Sequence, residues 1–334
     1  MKILLVGSFL QGALEFVFEK DLRALGCQVV SFDMGKINKF LIPYWERIVN
    51  IRLLGVLNNF SPDLIFVLKG TYLWPKTLLT IKQRKRCLIF CFNADSPFNL
   101  ASPGASNKNI LASIPYYDYY FIWTKTLVEP LLKAGVKKVG RLAFGFEPAL
   151  HHPLQLSPEQ RQGYSSDIAF VGNWDEERER WLKNLADFDL RLWGENYWKN
   201  RCRDRELGKK WSGLAMYGED FSKVVNCCKI SLNILRLQNK GNYNMRTFEV
   251  PVSGGFMLAE RSIEAQEFFA EGKEAAYFST TEELRDKIRY YLSHEDTRRE
   301  IAQAGYQRCV SCGHTYLERA KQILKVYEEF NRGS

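Results

Sequence analysis

Long apolar runs are missing from the sequence, which contains nothing close to the roughly 20 consecutive apolar residues that span a membrane. The first apolar stretch, residues 3–6, is also too short for a secretory signal peptide. These two absences lead us to expect a protein that stays in the cytoplasm. Histidine is scarce, and none of the four histidines precedes His151, so the sequence gives no support to a Ser-His-Asp hydrolase.

The fingerprints of common cofactors and metals are missing as well. Residues 7–12, after the first strand candidate, do not form a GxGxxG motif, which argues against a nicotinamide-dependent oxidoreductase. No DxD triplet follows a predicted strand, so we expect no bound Mg²⁺ or Mn²⁺ and no cofactor. The eight cysteines include one CxxC pair, Cys309 with Cys312, but no second pair that would complete a zinc site.

Positive charge exceeds negative charge, with 47 Lys and Arg against 38 Asp and Glu. The excess is compatible with nucleic acid, anionic lipid or phosphorylated small molecules as partners. The densest basic stretch, residues 199–210, is best explained as a solvated surface, and peripheral contact with an anionic inner membrane face is the alternative. We expect no nucleic acid partner, although aromatic residues in this region keep a nucleic-acid-binding protein open as an alternative function.

Short apolar segments alternate with helical patterns along the whole chain. Strand candidates lie at residues 2–6, 28–32, 64–68, 87–92, 119–123 and 139–143, and again at 167–171, 188–193, 229–234 and 256–259. This alternation predicts βαβ units, an α/β fold and parallel sheets. The length favours two domains, and a polar, proline-containing segment separates the two series of strands. We predict Rossmann-like domains over 1–150 and 167–313, a linker over 151–166 and a final helix over 314–331.

The most informative segment is residues 229–255. A strand leads to Arg236, and a loop then leads to a short helix whose first turn holds Asn244 and Arg246. A diphosphate at the helix N-terminus would meet free N–H groups and the guanidinium groups of Arg236 and Arg246. Glu249 shares a helix face with Arg246 and is able to accept hydrogen bonds from both hydroxyls of a ribose. An Arg246–Glu249 ion pair on a solvent-exposed helix is the alternative interpretation.

Two charged residues follow neighbouring strands of the first half. Asp95 comes shortly after the strand at 87–92, at the carboxyl edge where parallel sheets bind ligands, and is our candidate for a catalytic carboxylate that acts as a general base. An Asx-turn or a helix cap is the structural alternative for Asp95. Lys69 follows the strand at 64–68 and is a candidate contact for a substrate or a phosphate, with a simple strand-end lysine as the alternative.

Residues 246–256, RTFEVPVSGGF, resemble the R-x-F-E-(I/V)-P-x-x-G-G-F signature of the CgeB-like branch of the group 1 glycosyltransferases. Further stretches resemble elements of that family in the same order, at residues 93–99, 113–118, 145–151 and 314–319. The resemblance implies a GT-B fold, in which two Rossmann-like, doubly wound domains face a central cleft. It further implies that the N-terminal domain binds the acceptor, the C-terminal domain binds the nucleotide sugar, and the last helix crosses back to the first domain.

The resemblance also assigns roles to single residues. Glu249 matches the second glutamate of the family's E-x7-E motif, which holds the donor ribose, whereas the position of the first glutamate is Gly241. After the strand at 167–171 the family often has Arg and, five residues later, Lys on the donor phosphates. Here Gly172 follows that strand, Asn173 takes the Arg position, and Arg178 takes the Lys position, with a solvated charge as the alternative for Arg178.

The resemblance and the residues together predict an enzyme that transfers a sugar from a nucleoside diphosphate sugar to a hydroxyl group. The expected nucleotide is UDP, and the expected acceptor is a bacterial glycan, glycolipid or protein. Asn93, in the segment that resembles the family's N-terminal domain, is a candidate on the acceptor side with Lys69 and Asp95. Because Gly241 replaces a family glutamate, a non-catalytic nucleotide-sugar-binding or coat protein with the same fold is the alternative function.

Overall fold

A computed structural model describes residues 1–36, 44–84, 87–100 and 104–332, apart from the side chain of Gln238. The chain divides into two compact units. Unit 1 consists of Met1–Phe144 together with the C-terminal segment that begins at Tyr316, and unit 2 is Gly145–Thr315. Residues 151–166, which we predicted as a linker, lie in unit 2 and include a short helix.

Unit 1 is built around a six-stranded parallel sheet with the strand order β2-β1-β3-β4-β5-β6. Its strands are β1 (Lys2–Gly7), β2 (Gln28–Asp33), β3 (Leu64–Leu68), β4 (Leu88–Asn93), β5 (Tyr119–Ile122) and β6 (Val139–Arg141). Its helices before the chain leaves the unit are α1 (Leu14–Ala24), α2 (Trp45–Asn59), α3 (Pro75–Arg84), α4 (Lys108–Ser113) and α5 (Val128–Lys133). All five residues of β3 are apolar and buried, as expected for a strand covered on both faces.

Unit 2 contains a second six-stranded parallel sheet, with the order β12-β11-β10-β7-β8-β9. Its strands are β7 (Ser166–Val171), β8 (Leu190–Trp193), β9 (Trp211–Gly213), β10 (Cys228–Asn233), β11 (Met257–Glu260) and β12 (Ala276–Phe278). Its helices are α6 (Pro158–Gln162), α7 (Glu176–Leu182), α8 (Tyr197–Asn200), α9 (Arg205–Gly208), α10 (Gly218–Cys227), α11 (Arg246–Val252), α12 (Ile263–Phe268), α13 (Thr281–Ser293) and α14 (Glu295–Ser311). The ten predicted strands are all present, and the prediction of two parallel α/β sheets is confirmed.

The last helix, α15 (Tyr316–Arg332), packs in unit 1 although unit 2 precedes it in the chain. The Tyr316 ring lies edge-on to Phe18 of α1, with the ring centroids 5.9 Å apart. The guanidinium of Arg319 donates from Nε to the Ala143 carbonyl over 2.9 Å and from Nη2 to the Phe144 carbonyl over 3.1 Å. These contacts explain why the final helix returns to the first unit, as predicted.

Helix α14 packs closely against α11 in unit 2, and Gly305 lies at the contact. A β-carbon at Gly305 would stand 2.5 Å from the backbone carbonyl oxygen of Glu274 and 3.4 Å from Pro251. A backbone oxygen cannot rotate away as a flexible side chain can. The position therefore has room for glycine alone.

We expect Gly305→Ala to lower the free energy of unfolding by about 1–3 kcal/mol, because overpacking outweighs the better helix propensity of alanine. Gly55→Ala is the matched control, since Gly55 is an exposed glycine of α2 where an added β-carbon would meet open space. This control should raise stability by about 0.5–1 kcal/mol. Urea denaturation of both variants measures the two effects, and a stabilised Gly305→Ala protein would contradict the close packing.

Candidate functional site

The turn between β7 and α7 is held by the buried guanidinium of Arg178. Its Nε and Nη2 each donate to the Ile234 carbonyl over 3.1 Å, and its Nη1 donates to the Asn173 carbonyl over 2.8 Å. Burial lowers the pKa of Arg178 to about 10. The solvated alternative for Arg178 is wrong, because the residue is only 8% exposed. Arg178 joins the segment after β7 to the segment after β10, and its role on a phosphate stays a prediction.

Gly172 and Asn173, which follow β7, lie in close contact with Arg178. A β-carbon on Gly172 would meet the Phe170 ring at 2.9 Å and Arg178 Nη1 at 3.2 Å, so glycine is required sterically. The Gly172 carbonyl accepts a hydrogen bond from the Trp198 indole N–H over 2.8 Å. The side-chain oxygen of Asn173 accepts from the Glu195 backbone N–H over 3.1 Å. Both residues therefore shape the carboxyl edge of the sheet between β7 and β8.

Arg236 and Asn244 lie on the segment between β10 and α11. Arg236 is 39% exposed, and its Nε lies 3.9 Å from Asp175 Oδ2. Asn244 donates from its amide nitrogen to Asn233 Oδ1 over 2.9 Å. Its own amide oxygen is buried and has no hydrogen-bond partner among the described residues. A buried acceptor without a donor is costly, so this oxygen is a candidate for contact with a ligand or a water molecule.

Arg246 and Glu249 form the ion pair that their spacing predicts. Arg246 Nη1 donates to Glu249 Oε2, and the Arg246 guanidinium also lies 3.9 Å from the centroid of the Phe221 ring. The helix that carries the pair is α11, which begins at Arg246 and has every residue from Thr247 to Val252 buried. The alternative interpretation, an ion pair on a solvent-exposed helix, is wrong in its exposure, because Glu249 is only 6% exposed.

His151 completes this group, and in the sequence it stands out only as the last residue of the family-like segment 145–151. Its Nδ1 accepts a hydrogen bond from the Glu147 backbone N–H over 3.2 Å, so the ring proton of neutral His151 is on Nε2. This nitrogen lies 3.7 Å from Glu249 Oε1, and the ring is buried against Phe221. His151 lies before β7, far in sequence from Glu249. The pattern of apolar residues around it therefore did not predict the contact between the two side chains.

Burial lowers the pKa of His151, and this outweighs the opposing effect of the Glu249 carboxylate. The unfolded chain therefore binds a proton more readily than the folded chain below the ordinary histidine value of 6.5. We expect the stability that depends on neutral His151 to be complete above that pH and to be lost as the pH falls below it. The slope from one such group is at most about 1.4 kcal/mol per pH unit.

Denaturation midpoints measured between pH 5 and 8 test this expectation. His151→Gln should flatten the acid side of the stability profile relative to the wild type. His152→Gln, which changes the neighbouring and more exposed histidine, is the control and should retain the wild-type profile. Equal profiles for the wild type and His151→Gln would show that another group causes the loss in acid.

In unit 1, Lys69 and Asp95 form an ion pair at the carboxyl ends of β3 and β4. Lys69 Nζ lies 2.5 Å from Asp95 Oδ2 and also donates to the Gly104 carbonyl. Lys69 has a φ of 65°, in the left-handed region that is costly for a residue with a side chain. Asn93 is fully buried, and its side-chain oxygen accepts from the Asp95 backbone N–H over 2.9 Å. The three predicted acceptor-side residues are thus adjacent.

Glu15 lies near the same edge of the unit 1 sheet and was missed from the sequence. It is 9% exposed, and its Oε1 accepts from the Ser8 backbone N–H over 2.8 Å. Burial raises its pKa, as does the charge of Asp33, while Lys69 lowers it. A β-carbon on Gly7 would stand 2.4 Å from Glu15 Cγ, which explains the glycine at the end of β1. Glu15 lies in the first turn of the amphipathic helix α1, where a glutamate is usually exposed, so its burial was not predictable from the sequence.

The CxxC pair is divided between two environments: Cys309 is buried, Cys312 is exposed, and all eight cysteines are free thiols. Within the described residues, no group of three or more His, Cys, Asp or Glu side chains is placed to hold a metal ion. The described part of the chain contains no helix with the length and apolar character needed to cross a membrane.

The chain resembles known proteins in sequence over its C-terminal part and in fold throughout. Residues 177–325 match a family model described as glycosyl transferase-like, while no curated protein matches significantly. Sucrose-phosphate synthase from Thermosynechococcus elongatus has a TM-score of 0.74 and 12% identity, with 100% of both chains covered. A glycosyltransferase from Rickettsia africae ESF-5 has a TM-score of 0.73 and 12% identity, covering 100% of this chain and 99% of its own.

HepE from Anabaena, solved in complex with UDP and glucose, has a TM-score of 0.70 and 13% identity, with 98% of this chain and 100% of HepE covered. The three structures share with this chain the arrangement of two parallel α/β sheets. The chain therefore has the GT-B fold of these proteins, and its residues 177–325 are similar to the glycosyl transferase-like family.

Proposed function

We propose that the protein is a glycosyltransferase that moves a sugar from a nucleoside diphosphate sugar to a hydroxyl group of an acceptor. The observation that carries the proposal is the Arg246–Glu249 pair, which follows the carboxyl end of β10 in the chain, as Arg236 does. Burial lowers the pKa of Arg178, and both arginines are close enough for their charges to lower it further. A carboxylate and two guanidinium groups are the side chains that suit a ribose and a diphosphate, respectively. The fold and the match of residues 177–325 support the same function.

Glu249 is the proposed ribose ligand. Its Oε2 is engaged by Arg246, whereas its Oε1 faces His151 Nε2 at 3.7 Å, which is too long for a hydrogen bond. A ribose hydroxyl that donates to Oε1 would satisfy this oxygen. The buried amide oxygen of Asn244 is a further acceptor for the nucleotide.

Arg236 and Arg246 are the proposed diphosphate ligands. The negative charge of the leaving diphosphate grows as the glycosidic bond breaks, and nearby fixed cations stabilise that charge. Arg236 is partly exposed and only loosely held by Asp175, so it is able to reorient toward a ligand. Gly172, Asn173 and Arg178 form the adjoining edge of the sheet, where we place the phosphate nearest the sugar.

Asp95 is the proposed general base for the acceptor hydroxyl. Its side chain is 26% exposed, so an acceptor is able to reach the carboxylate, and Lys69 and Asn93 hold it at the end of β4. We infer an acceptor that is a glycan, a lipid-linked glycan or a protein. We further propose that the protein belongs to the CgeB-like branch, because residues 246–256 resemble its signature. We also propose that it acts in the bacterial cytoplasm, in peripheral contact with anionic lipid.

One observation favours a second candidate function, a nucleotide-sugar-binding protein without transferase activity. Gly241 stands where the E-x7-E motif has its first glutamate, and its φ of 78° is unfavourable for any residue with a side chain. No side chain at this position contacts the donor sugar. Hydrolysis or transfer assays with UDP-sugars separate the two candidates, because a binding protein would retain UDP affinity and release no UDP.

A thermal-shift panel tests the donor site. UDP, GDP, ADP, CMP and dTDP are compared, with NAD and a short oligonucleotide as controls. We expect UDP to raise the unfolding temperature by several degrees, since a ligand present at about 100 times its Kd adds roughly 2.7 kcal/mol of stability. A shift with the oligonucleotide alone would instead support a nucleic-acid-binding protein, and no shift with any nucleotide would contradict the proposed donor site.

A further inference from the structure

A second basic concavity lies at the opposite, amino edge of the unit 2 sheet. We call it the amino-edge cavity, and it has a volume of about 330 Å³. It is bordered by the starts of β10 and β11, by the first turns of α14 and by Arg161 of α6. Arg246 and Glu249 lie beyond the carboxyl end of β10 and do not border it.

Positive charge dominates the lining of the amino-edge cavity. Four basic residues border it against a single acidic one, Glu295, and these four are Arg161, Lys229, Arg298 and Arg299. Lys229 pairs with Asp167 over 2.8 Å, and Arg299 pairs with Glu295 over 2.5 Å. Among the described residues, Arg161 and Arg298 form no ion pair with any carboxylate. The cavity therefore carries two cationic groups that lack an anionic partner in the described part of the protein.

The excess of positive charge is unfavourable for folding at Arg298, because this residue is only 6% exposed. Its Nη1 donates to the Tyr291 carbonyl, which is a neutral acceptor and uses one of five N–H groups. Removing a cation from water without a counter-charge is unfavourable. A bound anion would offset this cost.

Arg161 is held in position at the cavity by backbone carbonyls. Its Nη1 donates to the Asn226 carbonyl over 3.2 Å, and its Nε donates to the Leu156 carbonyl over 3.4 Å. Asn226 is itself fixed, since its amide nitrogen donates to the Ser222 and Ser253 carbonyls. A guanidinium that is already oriented loses little conformational freedom when it binds a ligand.

The two cysteines of the lining do not supply the missing negative charge. Burial raises the pKa of the Cys228 thiol to about 12 and also raises the pKa of Cys227. Both side chains are therefore neutral thiols near pH 7.

We propose that the amino-edge cavity is a binding site for a phosphate-bearing small molecule, held by Arg161 and Arg298 with support from Lys229 and Arg299. Guanidinium groups match the geometry of phosphate oxygens, and the volume falls at the lower end of the range for small-molecule sites. The site is separate from the proposed donor site and does not depend on the proposed function.

Calorimetric titration of the full chain with inorganic phosphate and with pyrophosphate measures the binding, and hydrogen exchange locates it. We expect protection of residues 225–229 and 295–302 by pyrophosphate, both without and with saturating UDP. Arg161→Gln should raise the Kd for pyrophosphate at least about tenfold, the scale of one charge-assisted hydrogen bond. Arg298→Lys, which keeps the charge and removes the fork, should weaken binding as well.

Arg289→Gln is the matched control, because Arg289 is an exposed arginine of α13 that pairs with Asp286 outside the cavity. An equal loss of affinity in Arg289→Gln and Arg161→Gln would mean nonspecific attraction by surface charge and would overturn the proposal. Protection confined to residues 236–249 would place the anion at the donor site and would also overturn it. If Arg298→Lys does not fold, Arg161→Gln decides the question alone. A protein that binds pyrophosphate at the amino edge but does not bind UDP would contradict only the proposed function.

Discussion

Asp95→Asn is expected to lower the rate of sugar transfer at least about a hundredfold and to leave the affinity for UDP unchanged. A positioned general base contributes roughly 10²–10⁴ to a rate, and an amide cannot accept the acceptor's proton. The backbone N–H of Asp95 donates to Asn93 Oδ1, and this hydrogen bond survives the substitution. Initial rates with a UDP-sugar measure the first effect, and calorimetry with UDP measures the second.

Asp118→Asn is the matched control for this variant. Asp118 also pairs with a lysine in unit 1, since Lys82 Nζ lies 2.6 Å from its Oδ1, and it is similarly exposed at 21%. It accepts from the Ile89 backbone N–H, at the amino edge of the sheet rather than the carboxyl edge. Full activity in Asp95→Asn would exclude the base role. Loss of both UDP binding and activity would point to a structural role for the Lys69–Asp95 pair instead.

Glu249→Ala is expected to weaken UDP binding by about 1–3 kcal/mol, which is roughly fivefold to more than a hundredfold in Kd. The variant removes the acceptor of the ribose hydroxyls, and it also leaves Arg246 without its carboxylate. Because an unpaired, partly buried charge is destabilising, lost binding in this variant alone has two explanations.

Glu249→Gln separates the two explanations when UDP is compared with 2′-deoxy-UDP. The wild type should bind UDP more tightly than the deoxy nucleotide. The Gln variant has a single acceptor oxygen, for which Arg246 and the hydroxyl compete, so its preference for UDP should be smaller. Glu179→Gln is the control, since Glu179 is equally buried in unit 2 and accepts hydrogen bonds from Trp174 and from the Arg203 backbone N–H. If Glu249→Gln retains the full wild-type preference for the 2′-hydroxyl, the ribose assignment is wrong.

Most of the fold was accessible from the sequence because buried parallel strands are continuous apolar segments. The ten strands with such segments were predicted, including LIFVL of β3. The two missed strands, β9 and β12, have three residues each and lie at the edges of the unit 2 sheet. Such a short strand carries little pattern of its own, and its pairing depends on a neighbour that is distant in the chain. β6 is equally short, but the apolar residues Leu142 and Ala143 that follow it lengthened its pattern.

The candidate site was predictable where its residues are close in sequence. Arg246 and Glu249 are three positions apart, and helix geometry alone brings them together. The Lys69–Asp95 contact is also foreseeable in outline, because both residues follow neighbouring strands. By contrast, His151 reaches Glu249 through tertiary packing, and Arg178 is buried although it stands in a run of charged residues. The pattern of polar and apolar residues along the chain does not predict the burial of a polar side chain by residues that are distant in sequence.

The unequal environments of the cysteines make this protein ready for single-site labelling. Cys312 is the one exposed cysteine of the eight, while Cys91, Cys227 and Cys309 are buried and the remaining four are partly covered. Burial also raises the pKa of Cys91 and of Cys228 to about 12, which suppresses the reactive thiolate. A limiting amount of maleimide dye therefore attaches to Cys312 at the end of α14 without any engineered cysteine, giving a fluorescent reporter on the native sequence.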